Sequence, residues 1–380
     1  MWYDKLVIQN TAKMSRRDTE KGENTMIEKI LDDFNLDALV ITDAYNMRHV
    51  SGFRGGEGAL YISRGQRVLI TDSRYTELAA KESDFTVIEE KREHLREQIL
   101  KECIEKEGKA GEFHMGYEDE SLLCSQFDKM KEALPVDVWT PLKDRIDALR
   151  CIKTEEELAY LAKAEEIGDR AFAKLLPLLK PGMTELEAAA ELEYLMKKEG
   201  AEDLGFNTIV ASGLNSSMPH AIPGEKKLEA GDFITFDFGC KYKGYCSDMT
   251  RTVVLGKASE KQKEIYGVVL KAQLAALDAL KAGVSGSSVD KVARDIITEA
   301  GYGDCFGHGL GHSVGLFIHE NPRLSPSDDT ILQAGMIETV EPGIYVPGFG
   351  GVRIEDMVIV TEEGHINLAH SPKELIEIPV

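Results

Sequence analysis

The chain has 380 residues, 43% of them hydrophobic and 29% charged, the balance of a folded globular protein rather than a disordered one. At about 100–200 residues per domain this length accommodates two domains, and no apolar run approaches the ~18 residues that a membrane helix needs. The net charge of −21, with basic clusters as short as Lys226-Lys227, repels phosphate backbones and excludes nucleic acid as an expected partner.

Residues 1–24 are polar and aperiodic and are expected to form a tail; they carry no apolar signal core, so export by that route is not expected. From Met26 the pattern is regular. Ile27, Ile30, Leu31 and Phe34 recur at helical spacing, and Leu36–Thr42 reads as a buried strand. Two further strands, 59–62 and 67–71, flank the hairpin signal Arg64-Gly65-Gln66. A helix over 74–82, a strand over 85–89, a helix over 91–107 and a strand over 113–117 continue an alternating α/β domain that ends near Trp139-Thr140-Pro141.

Residues 143–153 connect to a second, helical stretch. Thr154 with Glu157, and Thr184 with Glu187, have the spacing of a capping box, in which a hydroxyl and a carboxylate exchange hydrogen bonds with backbone N–H groups. Helices are expected at about 259–281 and 287–300, and strands around 206–212, 232–240, 245–255, 336–341 and 352–360. Nineteen of the 34 glycines lie at or beyond position 231, so this half has the tight turns in which sites are usually built. The six cysteines show neither C-x-x-C nor zinc-finger spacing; they read as reduced core residues, and the cytoplasm is the expected compartment.

Three segments carry chemistry. In the first, Asp237 and Asp248 lie on strands flanking Lys241-Tyr242-Lys243-Gly244. A two-residue loop centred between 242 and 243 would set Asp237 directly opposite Asp248, with Cβ atoms about 4.5–5.5 Å apart. Asp237 sits among Phe233, Ile234, Phe236 and Phe238. Two enclosed carboxylates require either a shared proton or a cation, whereas two surface acids on a solvated hairpin require neither. In the second segment, His308, His312 and His319 fall within twelve residues, ahead of Glu320. Gly309 and Gly311 argue against the helix that a zinc pair at i, i+4 needs, and the glycines match a dinucleotide fingerprint only weakly because no strand-turn-helix frames them.

In the third, Glu341 ends an apolar strand before Pro342-Gly343. Arg353 and Glu355 then alternate with Val352, Ile354 and Met357 on what reads as one central strand. An ordinary Arg–Glu surface pair is the competing reading for those two, although an acid inside such a strand needs a partner. Four carboxylates and one imidazole exceed the needs of one tetrahedral ion and suit two divalent ions bridged by carboxylates, with Mn²⁺, Fe²⁺, Co²⁺ or Zn²⁺ as candidates.

These blocks, together with Ile209–His220, resemble the metallopeptidase family with the pita-bread fold, which includes Xaa-Pro aminopeptidase, Xaa-Pro dipeptidase and methionine aminopeptidase. The resemblance runs from about Met26 to the C-terminus. It implies a tail (1–24), an N-terminal α/β domain of the creatinase/prolidase type (25–148) and an α+β pita-bread catalytic domain (149–380). It further implies Asp237 on one metal, His312 and Glu341 on the other, and Asp248 and Glu355 bridging, with Mn²⁺ the first expectation. The domain before the catalytic one and the short Glu341–Glu355 interval fit the proline-specific branch, because methionine aminopeptidases usually lack that domain and space the two glutamates more widely. Creatinase shares both domains but not the ligand set.

The resemblance therefore implies a metallo-exopeptidase that cleaves the bond between an N-terminal residue and proline in small peptides. Glu341 would accept a proton from the attacking water and pass it to the proline nitrogen, and His319 would steady the carbonyl oxygen or the leaving group. His220 and Arg353 are assigned to substrate binding and site order, with His308 as a further candidate. A homodimer is expected, and no membrane partner. The alternative is a pita-bread module that binds peptides or proteins without hydrolysis. Phosphoester hydrolysis on the same ligands would need cationic clamps that these segments lack.

Overall fold

The computed structural model describes residues Met26–Val380; the tail expected over 1–24 lies outside the described residues. Two compact units divide between Arg150 and Cys151. The first opens with helix α1 (26–33). It continues through β1 (Ala38–Ile41), α2 (Ala44–Ser51), β2 (Ala59–Ser63), β3 (Arg67–Asp72), α3 (Thr76–Glu82), β4 (Thr86–Glu90), α4 (Arg96–Lys106), β5 (His114–Tyr117), α5 (Cys124–Ala133) and β6 (Val138–Pro141). The six strands form one mixed sheet in the order β4-β3-β2-β1-β5-β6. Leu39, Ile41, Leu60 and Leu69 pack on one face, and Val40, Tyr61, Val68 and Ile70 on the other. That alternation is the period of two of strands buried on both sides.

The sequence pattern misses α2 and α5, which are short and only partly buried. Helix α4 begins at Arg96 rather than 91, because Lys91 and His94 first close a small turn with paired backbone hydrogen bonds.

The second unit begins with α6 (Glu155–Leu175) and α7 (Glu185–Glu199). Both capping boxes form: the Thr154 hydroxyl accepts the Glu157 N–H at 3.3 Å while the Glu157 carboxylate takes the Thr154 N–H at 2.7 Å, and Thr184 and Glu187 repeat the exchange. Each such cap is worth about 1 kcal/mol. Strands β7 (Asp203–Leu204), β8 (Ile209–Ser212), β9 (Phe233–Phe238), β10 (Cys240–Tyr242), β11 (Tyr245–Cys246) and β12 (Met249–Leu255) follow, then α8 (Glu260–Ala279) and α9 (Gly286–Glu299). The chain closes with β13 (Gly311–Ser313), β14 (Glu320–Leu324), β15 (Ile337–Val340), β16 (Gly343–Val346), β17 (Gly350–Arg353), β18 (Asp356–Val360), β19 (His365–Asn367) and β20 (Ile376–Ile378).

One four-stranded sheet runs β20-β12-β9-β8, and a three-stranded sheet runs β15-β18-β19. Helices α6 and α7 bury Phe172, Leu175, Leu192 and Met196 against Phe236, Phe238 and Val253 of the first. Helices α8 and α9 bury Ile265, Val269, Val289 and Ile297 with Val340, Val352 and Val358 around the second. Among the described residues no helix is long and apolar enough to cross a membrane. Cys103, Cys240 and Cys246 are buried as expected, whereas Cys124 is exposed and Cys151 and Cys305 are half-buried.

Two expectations about the site segments are corrected. Asp237 pairs with Thr250, not with Asp248. The turn is Lys243-Gly244, with φ of 49° and 74°, since Tyr242 still pairs with Tyr245. Positive φ at both central residues is the type I′ geometry that matches strand twist, and Gly244 enters it without strain. The register thus slips by two residues, which leaves Asp237 and Asp248 on one face because the strand period is two. The expected single strand over 352–360 is also two: β17 pairs with β16, and β18 pairs with β15, with Ile354 and Glu355 at the change of partner.

Candidate metal centre

Five segments deliver the acidic cluster. Asp237 comes from near the end of β9, Asp248 from the residue before β12, His312 from β13, Glu341 from the residue after β15, and Glu355 from the break between β17 and β18. Carboxylate oxygens of Asp237, Asp248 and Glu355 lie within 4.8 Å of one another. His312 Nε2 is 3.5 Å from Asp248 Oδ2 and 3.4 Å from Glu341 Oε1, which ties Glu341 to the group. All five line one cavity of about 750 Å³.

Neighbouring side chains fix these groups. Arg353 Nη2 donates to Asp237 Oδ2 at 2.5 Å, and Arg353 Nε donates to the Thr250 hydroxyl at 3.0 Å. That hydroxyl in turn donates to Glu355 Oε2 at 2.6 Å. Arg353 and Glu355 are therefore no surface pair: one guanidinium orients two carboxylates, one directly and one through threonine. Thr339 Oγ1 accepts the His312 N–H and donates to Glu341 Oε1, both at 3.0 Å. His312 Nδ1 lies 3.0 Å from the Ser313 carbonyl, which can only accept, so Nδ1 carries the proton and Nε2 presents a lone pair to the carboxylates.

The remaining sequence candidates also line the cavity. His308 Nδ1 donates to the Gly309 carbonyl at 2.7 Å, and its Nε2 accepts from the Tyr345 hydroxyl at 2.9 Å; that hydroxyl accepts from Arg353 Nη1 at 2.7 Å. His308 thus supports Arg353 through Tyr345. The His319 ring stands edge-on to His312 with centroids 4.6 Å apart, and His220 sits exposed at the rim.

Sequence reasoning missed Thr250, Thr339, Tyr345 and Arg323. Thr250 and Thr339 each lie two residues from a carboxylate, at Asp248 and Glu341, on the same strand face, and that spacing was a usable signal. The sequence carries no comparable mark on Tyr345 or Arg323. Behind the site, Arg251 is fully buried and donates to the carbonyls of Thr250 and Glu355, to Asp356 Oδ1 at 2.7 Å and to the Ser371 carbonyl at 2.8 Å, locking the strands that carry two of the acids.

Burial, then the neighbouring acids, push the Asp248 and Glu355 carboxyls well above the ordinary range, and burial raises Glu341 to about 7 against the opposing pull of Arg353. Two like charges at such separations repel by roughly 3–4 kcal/mol at an effective dielectric of about 20. Burial holds His312 far below the ordinary imidazole value, at about 3, so the ring is neutral and fit to be a ligand. Asp237 Oδ1 and Glu355 Oε1 are buried with no hydrogen-bond partner among the described residues. Orphaned oxygens inside a cluster of like charges are what a cation would satisfy, and four carboxylates balance two divalent ions.

A pH dependence follows from these directions. The raised carboxyls of Asp248, Glu341 and Glu355 favour a proton in competition with a cation, so uptake should strengthen as pH rises through about 7, the value for Glu341. The rise in Tm on adding Mn²⁺ is expected to be several degrees larger at pH 8 than at pH 5, with proton release on titration; an equal shift at both pH values would contradict this assignment.

Known proteins match the chain closely. A model of the Creatinase/Prolidase N-terminal domain matches residues 25–152, and one of metallopeptidase family M24 matches residues 159–362. An Xaa-Pro dipeptidase of Pyrococcus furiosus is 41% identical over 351 residues, 92% of this chain and 97% of the relative. Among solved structures, an Xaa-Pro dipeptidase from Bacillus anthracis superposes with a TM-score of 0.90 at 41% identity, over 95% of this chain and all of that one. An X-Pro aminopeptidase from Thermotoga maritima gives 0.85 at 39% identity, over 93% of this chain and all of that one.

Proposed function

This chain belongs to metallopeptidase family M24, with the pita-bread catalytic fold and a metallo-exopeptidase's activity, and on that premise we propose that it hydrolyses X–Pro dipeptides with two divalent metal ions. The observation that carries the reading is the convergence of Asp237, Asp248, His312, Glu341 and Glu355 on one cavity, with two orphaned oxygens among them. Asp237 would hold one ion, His312 and Glu341 the other, and Asp248 and Glu355 both. Hard oxygen donors with a single imidazole put Mn²⁺ first among the candidates. Bound there, such ions supply Lewis acidity and lower the pKa of water to about 7.

The protein's own groups supply the rest. Glu341, held by the Thr339 hydroxyl at 3.0 Å and lining the cavity, would accept a proton from the attacking water. It would pass a proton to the proline nitrogen, which leaves poorly without one. His319, exposed at the cavity wall, would donate to the scissile carbonyl oxygen as charge develops there. Arg353 spends its hydrogen bonds on Asp237, Thr250, Tyr345 and the Pro219 carbonyl, which suits ordering the acids more than holding substrate. Phe206, Ile209, Pro223 and Ile318 give the cavity an apolar wall for a pyrrolidine ring.

Arg323 favours dipeptides within this reading. It lines the same cavity, and its guanidinium makes a long 3.4 Å hydrogen bond to the His319 carbonyl, which leaves donors for a substrate carboxylate. The test compares X-Pro, X-Pro-amide, X-Pro-X′ and Met-X peptides with Mn²⁺, Co²⁺ and Zn²⁺. X-Pro should have the highest kcat/KM, at least tenfold above its amide. Faster cleavage of X-Pro-X′ would make the protein an aminopeptidase, and cleavage of Met-X alone would overturn the proline reading.

A further inference from the structure

We propose that Lys153 is a positioning residue that sets the two histidines of the site, His312 and His319, by clamping the neck of the loop between them; what those histidines do rests on the peptidase reading above. Lys153 lies outside the cavity, in the segment before α6. Its Nζ donates to Ser313 Oγ at 3.0 Å, to Glu320 Oε2 at 3.1 Å and to the Cys151 carbonyl at 3.4 Å. Ser313 follows His312 and Glu320 follows His319, and the two residues pair across β13 and β14 where the register shifts. One ammonium therefore grips both ends of the loop over 314–319.

Each end is coupled onward. The Ser313 carbonyl takes the His312 Nδ1 proton and so fixes the tautomer and tilt of that ring. Glu320 Oε1 accepts the Phe317 N–H at 3.2 Å, which folds the loop back under His319. Gly315 makes room for this arrangement, since a Cβ there would lie 2.4 Å from Glu320 Oε2. The two side chains of the ion pair are 2% and 4% exposed. A pair so buried gains little net stability, because desolvation offsets the Coulomb attraction, and its contribution is a defined geometry. A second buried acid, Glu338, feels the Lys153 charge but makes no hydrogen bond to it among the described residues, and burial pushes its carboxyl well above the ordinary range. The clamp is therefore on Glu320.

A displacement of about 1 Å at reacting groups costs up to ~10²-fold in rate. In the Mn²⁺-loaded enzyme, Lys153→Met should lower kcat about tenfold or more per folded, metal-saturated molecule, with KM changed less than twofold. Glu320→Gln keeps the shape and should give a smaller loss in the same direction if Lys153→Met folds poorly. The double variant, with the buried charge gone, should regain Tm but not kcat. A wild-type kcat in Lys153→Met, or joint recovery of kcat and Tm in the double variant, would overturn the proposal by leaving Lys153 only a structural role. Hydrogen exchange at the amides of 314–319, expected to quicken severalfold in either single variant, needs no substrate. Were X-Pro peptides not cleaved by the wild type, unchanged exchange would still refute the clamp and faster exchange would uphold it.

Discussion

Asp248→Asn is expected to remove X-Pro hydrolysis by at least ~10³-fold, to the level of the wild type after chelation, and to reduce bound metal. Asp248 is buried, its Oδ2 lies 3.5 Å from His312 Nε2, and its oxygens fall within 4.8 Å of those of Asp237 and Glu355. The amide keeps the shape and deletes one of the two negative charges that both ions would share, and loss of a shared ligand disables a two-ion site as a unit. Misfolding is a poor explanation for such a loss, and the opposite effect checks this. Without metal, Asp248 sits among like charges with its carboxyl pushed up by burial and then by Glu355, so the neutral amide should leave the metal-free variant at least as stable as the metal-free wild type. Inductively coupled plasma analysis, a Tm with and without Mn²⁺, and steady-state rates give the three readings. Full activity in a metal-replete variant would refute the shared-ligand role.

His319→Ala should slow turnover by ~10²-fold or more while metal content stays near that of the wild type. The ring lines the cavity, lies against His312 edge-on, and is held below its ordinary pKa by partial desolvation and then by Arg323, so it is neutral at pH 7 with one N–H to give. Loss of one donor aimed at developing charge costs about 10²–10³-fold in kcat. The effect should fall on kcat rather than KM, because the substrate carbonyl needs the donor far less than the transition state does. If the variant mainly releases metal, the roles of His312 and His319 have been exchanged.

The residues of the centre that the structure brings to one cavity are each marked in the sequence: Asp237 and Asp248 flanking a hairpin loop, three histidines in a glycine-rich run, and Glu341 and Glu355 around Pro-Gly and a second apolar strand. Thr154 and Thr184 fixed two helix starts, because a capping box is local chemistry between residues three apart. The face shared by Asp237 and Asp248 was legible as well, since strand parity survives a register error of two.

Their partners were not legible. Whether Asp237 meets Asp248 or Thr250 depends on which two residues adopt positive φ in a four-residue loop, and the apolar pattern is the same either way. That Ile354 and Glu355 divide two strands instead of continuing one depends on pairing with β16 and β15, which only the assembled sheets supply. The bond from Arg353 to Asp237, the relay through Tyr345 to His308 and the clamp of Lys153 across 160 residues all join separate segments. Sequence alone determined which side chains cannot be left unsatisfied, because burial and spacing are written in local periodicity; the tertiary structure decided what satisfies them, because hydrogen bonds and ion pairs act over a few ångströms in space however far apart their groups lie in the chain.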